Sequence, residues 1–395
     1  MRKTAFFFAA IFISTMVIFA VFLTSCSIPV FPDGSWGVDG AGSRIPGRNV
    51  IEQLQWLQEN AQTGGNYLVL ARENEPRIPG NNNFGISYQG RKNITVTIRS
   101  SANIPRQTLW LLGCGVMLNV GHTNTLILEN INLQVAESSV QVYPIVEVYG
   151  GTLQMTNSAI SGNDAGRGVD LTEGVLSMGK GAVIHSNKDG GVLAWRDSRI
   201  YMYENAAVRN NFAGLTHIMG FAGGGLSLHY NSILTMRDSA VIYANHSGAG
   251  GGILLHNNSH AFMYDNAAIR DNLVTGGGGG VFTWLNSTLN MHGDNVRISS
   301  NRTLLAAYLP TSLGGGVFLG FPTDILNISG GTIYGADAPA SIANSAGLAS
   351  SLFVYHGFVR VGSYSDSGGF IPCGLFSFNV QFVANTFRVL GGVLQ

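Results

Sequence analysis

Acidic residues recur at one position of a repeated pattern in the second half of the sequence. Each follows a methionine, or lies close behind one, and precedes asparagine or serine: Glu204, Asp238, Asp265 and Asp294. Stacked on successive turns of a repeat, such carboxylates would form a ladder of oxygen ligands suited to Ca²⁺. Asp and Glu before Asn or Ser also suit tight turns, where side chains bond the backbone. We favour the turn role, keep the four as weak metal candidates and expect no cofactor.

A second recurring set is aromatic and apolar, and it is the better candidate for a binding surface. Counted from the last glycine of each glycine run, these side chains occupy the second and fourth positions: Leu193, Ser227, Leu254, Phe282 and Phe318, then Trp195, His229, His256 and Trp284. In an extended strand both positions point the same way, outward if the first and third point inward. Aromatic side chains often anchor sugars and protein partners. This aromatic strip predicts binding of a host protein, an envelope protein or a glycan, unless an insertion such as 212–221 or 304–313 covers it.

The elements that must position both sets are short repeats. Met202, Met236 and Met263 each lie 11 residues after the last glycine of a run and 9 residues before an asparagine. Each unit holds three short stretches in which apolar residues alternate with other residues, which indicates strands. Three strands per repeat predict an all-β, right-handed parallel β-helix. The closing asparagine tolerates left-handed backbone and can bond its neighbours along the stack.

Composition narrows the class of protein. Only 11% of the 395 residues are charged and the net charge is zero, so a nucleic-acid binder is not expected. Hydrophobic residues make up 45%, too many for a disordered chain. The cysteines that remain after Cys26 are Cys114 and Cys373, both in apolar contexts, and we expect two separate buried thiols.

The N-terminus reads as an export and anchoring signal. Residues 1–25 have a basic start and a long apolar run, which predicts a lipoprotein signal peptide, with an uncleaved membrane anchor as the alternative. The run ends in Leu-Thr-Ser-Cys, which resembles a bacterial lipobox and implies lipidation of Cys26 as the contact with the membrane. Ser27 replaces the aspartate of inner-membrane retention, so the resemblance implies the bacterial outer membrane, on its surface or its periplasmic face. We place a flexible tether at 26–48, an N-terminal cap helix at 49–66, and the β-helix with closing strands at 67–395.

The repeats resemble a known family. The stretches GGGVFTWLNSTLNMHG and GGGILLHNNSHAFMYDNAAIRDN are similar to repeats of right-handed β-helix lipoproteins of treponeme-like spirochaetes and of polymorphic outer-membrane proteins. With LQWLQENAQTGGNYLVLARENE and TFRVLGGVLQ, the resemblance covers about residues 50–395. It implies a pectate-lyase-like solenoid and an adhesin-like, non-enzymatic binding role.

Two other functions are compatible with the sequence. The same scaffold carries polysaccharide lyases and hydrolases, but the sequence lacks the G-H-G, N-T-D and D-D motifs of such enzymes. It also lacks a Ser/His/Asp order, a phosphate loop and zinc-ligand spacing. The other alternative is a structural or antigenic coat protein, which would bind nothing through the aromatic strip.

Overall fold

The computed structural model describes residues 37–80, 85–86, 91–102, 104–136, 142–214, 222–304, 314–335, 338–346, 352–361, 371–376, 379–383 and 386–390. For 85–86 and from 352 onward, the description is of the backbone. The predicted signal peptide and Cys26 lie outside these ranges. Within them the chain forms three columns of parallel strands, because each turn of the chain contributes one strand to each column.

The first strands of successive coils pair in parallel. They are Gly85–Ile86, Leu118–Val120, Val146–Tyr149, Val169–Thr172, Val192–Trp195, Leu226–His229, Ile253–His256, Val281–Trp284, Val317–Leu319 and the start of Leu352–Val361. The second strands are Asn66–Ala71, Thr95–Ser100, Thr125–Glu129, Thr152–Thr156, Val175–Met178, Arg199–Met202, Ile233–Met236, His260–Met263, Thr288–Met291, Ile325–Ile328 and the end of Leu352–Val361.

The third strands form a separate sheet, and a small sheet follows them in three coils. The third strands are Ile78–Pro79, Gln107–Leu112, Ile131–Val135, Ala159–Ser161, Val183–His185, Ala207–Arg209, Val241–Tyr243, Ala268–Arg270, Arg297–Ser299 and Gly331–Ile333. The small sheet contains His246–Ser247, Leu273–Val274 and Arg302–Thr303. This arrangement is the predicted parallel β-helix.

Alternation along each strand builds the core inside the coil. In one coil Leu228, Met236 and Ile242, from the first, second and third strands, are all fully buried in one continuous cluster. Glycine allows the coils to stack at the corner before each first strand. At Gly252 a Cβ atom would lie 2.6 Å from the backbone oxygen of Gly280 on the next coil, so a larger residue would push the coils apart.

A buried asparagine ladder closes each coil, as predicted. Its members are Asn163, Asn187, Asn211, Asn245, Asn272, Asn301 and Asn344, and each side-chain oxygen after the first accepts from the backbone N–H of the preceding member. The left-handed backbone that asparagine tolerates is not used at these positions. Positive φ falls on the residue just before, as at Asn210 (54°) and Asp271 (57°), because the turn must aim the following amide along the stack.

The N-terminal end is capped by a helix, as predicted. Helix Val50–Asn60 begins after Asn49, whose side chain accepts a hydrogen bond from the backbone N–H of Glu52. Part of the predicted tether is folded: strand Val38–Asp39 pairs antiparallel with the first of the second strands, and Ile45 is buried in the core. The tether prediction is therefore wrong for residues 37–48, because their apolar side chains cover the open end of the coil.

At the other end the parallel pairing stops in antiparallel strands. Leu352–Val361 pairs with Ile371–Phe376, and Gly331–Ile333 pairs with Asn379–Val383, which in turn pairs with Thr386–Leu390. These strands occupy the edge that a solenoid would otherwise expose.

Cys114 is exposed and carries a free thiol, so its predicted burial is wrong. It lies in the turn after a third strand, between two glycines of positive φ, where the chain leaves the core. The side chain of Cys373 lies outside the description. Over the described ranges, none of the helical structure is long and apolar enough to cross a membrane.

Candidate functional site

The outer face of the first strands carries two in-register rows of side chains. One row is Asn119, Glu147, Asp170, Leu193, Ser227, Leu254, Phe282 and Phe318. The other is Tyr149, Thr172, Trp195, His229, His256 and Trp284. Successive members belong to neighbouring coils, about 4.8 Å apart. The predicted aromatic strip is therefore continuous, but it is only the C-terminal part of a longer face.

Most of the strip is buried rather than presented to solvent. We call this part the closed half: His229, His256, Leu254, Phe282 and Phe318 are buried, and Trp284 is half-buried. Leu254, Phe282 and Phe318 form a cluster of their own with Ala249, separate from the core, and Trp284 packs against it. The buried members of the strip do not form an open aromatic surface. The two insertions considered as covers, 212–221 and 304–313, lie largely outside the described residues.

Ring stacking orders the closed half along the coil axis. The Phe282 and Phe318 rings are stacked with centroids 4.8 Å apart, and the His229 and His256 rings lie 5.2 Å apart. His256 is only 9% exposed and its Nδ1 has no hydrogen-bond partner. Burial holds the pKa of His256 below its usual value, so this imidazole favours the neutral form. These contacts give the closed half a packing role.

The N-terminal part of the same face is more polar, and its side chains are half-buried except for the exposed Tyr149. We call it the open half, and its members are Asn119, Glu147, Asp170, Tyr149, Thr172 and Trp195. Asn119 Nδ2 donates to Glu147 Oε2 at 3.1 Å. Glu147 and Asp170 are in-register neighbours on adjacent coils, so their carboxylates point the same way from adjacent strands. Sequence reasoning found no acid cluster, whereas the fold brings these two acids together.

One arginine holds the acids of the open half in place. Arg167 Nη1 donates to Asp170 Oδ2 at 3.0 Å, and Arg167 Nη2 lies 3.1 Å from Asp189 Oδ2. Asp170 Oδ1 is buried and has no hydrogen-bond partner. Burial raises the pKa of Asp170, and the charges of Glu147 and Asp189 add to this, while Arg167 opposes it. Asp170 thus has one enclosed oxygen without a partner and a raised tendency to hold a proton.

Aromatic rings border the acids. Tyr149 is 46% exposed and Tyr230 is 37% exposed. Trp195 is half-buried, and its coil lies between the coils of these two tyrosines. Trp195 lies against Tyr230 with ring centroids 4.6 Å apart. Tyr149 and Trp195 are two coils apart, about 10 Å, and the small Thr172 occupies the coil between them. The two rings thus form walls on either side of a low point next to Asp170.

The sequence held a signal for the open half that the glycine runs concealed. Val169-Asp-Leu-Thr172 follows Gly168 in the same register as Val192-Leu-Ala-Trp195 after Gly191, so Asp170 and Leu193 are equivalent. Val146–Tyr149 follows no glycine run, and its alignment becomes clear only from strand pairing. Of the predicted strip, Leu193, Trp195 and Trp284 are half-buried, and the other members are buried.

The recurring acids behave as turn residues. Glu204, Asp238 and Asp265 have positive φ of 57°, 53° and 58°. Asp238 accepts a hydrogen bond from the Glu204 backbone N–H at 2.9 Å, and Asp265 accepts from that of Asp238 at 3.1 Å. Asp294 lies in an exposed turn after Gly293. In the described part of the chain, no three His, Cys, Asp or Glu side chains are grouped so that they could hold a metal ion.

Comparison with known proteins identifies the architecture. Residues 117–302, just under half of the chain, match the family model described as the right handed beta helix region. No curated protein and no solved structure matches the chain significantly. The matched range contains the whole open half together with most of the closed half. The family match and the three columns of parallel strands agree that residues 117–302 form a right-handed β-helix region.

Proposed function

We propose that this protein is a lipid-anchored bacterial envelope protein, adhesin-like and non-enzymatic, that holds an extended neutral glycan on the open half. The observation that carries the proposal is the pair of aromatic walls, Tyr149 and Trp195, beside the neighbouring carboxylates of Glu147 and Asp170. Aromatic faces stack on sugar rings, and carboxylate oxygens accept hydrogen bonds from sugar hydroxyls. A pyranose unit is comparable in length to the coil spacing of about 4.8 Å, so successive sugars can meet successive coils.

The strand pairing favours a glycan over a peptide. An extended peptide is most readily bound as an added strand on an open sheet edge. The strands that carry the open half, Val146–Tyr149 and Val169–Thr172, have parallel neighbours on both sides and offer no free edge. The excess of carboxylates over arginine at Asp170 disfavours an acidic polymer. A neutral glycan fits both the rings and the charge.

The test compares two tryptophans at the same register of the coil. Trp195 lies in the open half, whereas Trp284 lies three coils away and packs in the closed half against Phe321. Calorimetry with cellohexaose, xylohexaose and chitohexaose should find binding that Trp195→Ala weakens about tenfold, a loss of about 1.4 kcal/mol. Trp284→Ala, checked for native circular dichroism, should bind as the parent does. Equal loss in both variants, or no binding to any neutral glycan, would count against the proposal.

A hydrolase on the same face is the second candidate, and a specific observation favours it. Glu147 and Asp170 are neighbouring carboxylates, and the pKa of Asp170 is raised, as a general acid requires. Retaining glycosidases hold their two carboxyl groups about 5–5.5 Å apart, comparable to the coil spacing. Release of reducing ends by the parent, lost in both Glu147→Gln and Asp170→Asn, would establish this activity. Binding without turnover would leave the binding role alone.

The anchoring part of the proposal rests on the lipobox-like sequence at Cys26. Cys26→Ser should abolish incorporation of labelled palmitate and release the protein from the membrane fraction. Antibody labelling of intact cells, compared with detergent-opened cells, tests the adhesin-like role. Labelling only after opening would move the protein to the periplasm and remove host contact from its function.

A further inference from the structure

The outer face of the third strands carries a cationic row that the glycan site does not use. On four successive coils, in-register residues are His185, Arg209, Tyr243 and Arg270. Each is partly or fully exposed to solvent. Arg106 joins the row at its N-terminal end, where its guanidinium donates to the backbone oxygen of Asn157. We call these residues the arginine row.

The charges of the row act on one another. The pKa of His185 is lowered, first by burial and then by the positive charges of Arg209 and Arg106, so the potential at this imidazole is positive. Among the described residues, no carboxylate lies within ion-pair distance of Arg106 or Arg209. Arg270 contacts Asp271 and also lies over the Tyr243 ring, 4.5 Å from its centroid. Positive charge is therefore concentrated at the Arg106–Arg209 end of the row.

We infer that the arginine row is a binding site for an acidic polysaccharide, one with carboxylate or sulfate groups along its length. Arginine presents a planar fork of donors that matches these anions in a bidentate way. Repeated anions along a chain can meet cations repeated on coils about 4.8 Å apart. The His185 ring, next to Arg209 in the row, offers a face for a sugar, whereas Arg270 already lies over the Tyr243 ring.

Two features favour a polysaccharide over other polyanions. The strands Val183–His185 and Ala207–Arg209 are paired on both sides, so an acidic peptide cannot add to them as a strand. The row is one residue wide and runs along the coil axis, which suits a single linear chain better than a broad membrane surface. This site goes beyond the proposed function, because it lies on a different face and selects the opposite kind of glycan.

The experiment uses two double variants that remove the same charge. Arg209→Gln/Arg270→Gln disrupts the row. Arg199→Gln/Arg237→Gln removes two exposed arginines, one at the start of a second strand and one directly after the next second strand. The control is matched in detail, because Arg237 lies 4.6 Å over the Tyr264 ring much as Arg270 lies over Tyr243. The probe is a heparin dodecasaccharide, with its dissociation constant measured between 50 and about 200 mM salt.

The row variant should bind the dodecasaccharide at least about tenfold more weakly, with the slope of log affinity against log salt reduced by about two. The control variant should stay within about twofold of the parent. Equal weakening in both would show a general charge effect and overturn the inference. Binding of the protein to poly-glutamate or to anionic phospholipid vesicles, without binding to the dodecasaccharide, would also overturn the inference. Trp195→Ala should leave this binding unchanged, so failure of the neutral-glycan site and failure of the arginine row give different results.

Discussion

Replacement of Asn245 by alanine should remove the side-chain hydrogen bonds of one member of the asparagine ladder and destabilise the stack locally. The Asn245 side chain is fully buried and makes four hydrogen bonds. Its Oδ1 accepts from the backbone N–H and the Nδ2 of Asn211, each at 3.0 Å. Its Nδ2 donates to the Val208 backbone oxygen and to Asn272 Oδ1, each at 3.0 Å. Alanine removes all four bonds without changing the backbone requirement, because φ at Asn245 is not positive.

The size of the free-energy loss depends on which groups the substitution leaves without a hydrogen-bond partner. Asn211 Nδ2 keeps its bond to the Ile184 oxygen, and Asn272 Oδ1 keeps its bond from the Asn245 backbone N–H. The Asn211 backbone N–H loses its side-chain acceptor, which costs about 1–3 kcal/mol for a buried donor. With the net loss of the other bonds, the local cost is about 3 kcal/mol.

Hydrogen exchange followed by mass spectrometry measures this cost where it arises. A solenoid need not unfold in one step, so local exchange is preferable to a single unfolding midpoint. A loss of about 3 kcal/mol should speed exchange of the Asn211 amide about 100-fold. Asn266→Ala, an exposed asparagine in the turn before the next rung, should change exchange by less than about twofold. If both variants exchange alike, the ladder does not stabilise the stack.

Three further predictions concern other parts of the coil. Burial raises the pKa of Asp324 to about 6 from 3.8. The protonated group should therefore stabilise the folded state below pH 4, and up to about 3 kcal/mol of that stability should be lost as the pH rises through 6. Asp324→Asn should remove this pH dependence of the urea midpoint, and parallel profiles in parent and variant would contradict the prediction. Gly252→Ala should lower the melting temperature by several degrees, because its Cβ would lie 2.6 Å from the Gly280 backbone oxygen. Gly64→Ala has open space around its Cβ, so its melting temperature should fall only by the backbone strain of a positive φ. Equal shifts in the two variants would refute the steric argument. Cys114 should react with a maleimide in the native protein, and protection until unfolding would contradict its exposed position.

The strands could be predicted because glycine corners and buried alternation repeat at a nearly fixed spacing. Leu228, Met236 and Ile242 point inward for the reason the sequence suggests: each is apolar between two outward neighbours. The fate of outward residues is harder to predict. Phe282 and Phe318 follow the same alternation as solvent-facing residues, and only tertiary packing decides that they are covered.

The acids of the open half were missed for a different physical reason. Glu147 and Asp170 are 23 residues apart, and only the strand register makes them neighbours. Arg167 completes the group because the turn before its strand aims the guanidinium at both Asp170 and Asp189. Coils without a glycine run give no sequence mark for that register, so the cluster emerges from pairing rather than from a motif.

Hydroxyl-radical footprinting in the presence of a neutral hexasaccharide shows directly whether the glycan covers the open half. The probe is cellohexaose, xylohexaose or chitohexaose, whichever binds most tightly by calorimetry. We expect the glycan to protect Tyr149, Trp195 and Tyr230, while the exposed Tyr143 and Phe212 stay as reactive as before. Protection centred on Tyr143 or Phe212, or an unchanged pattern at saturating glycan, would contradict a glycan site on the open half.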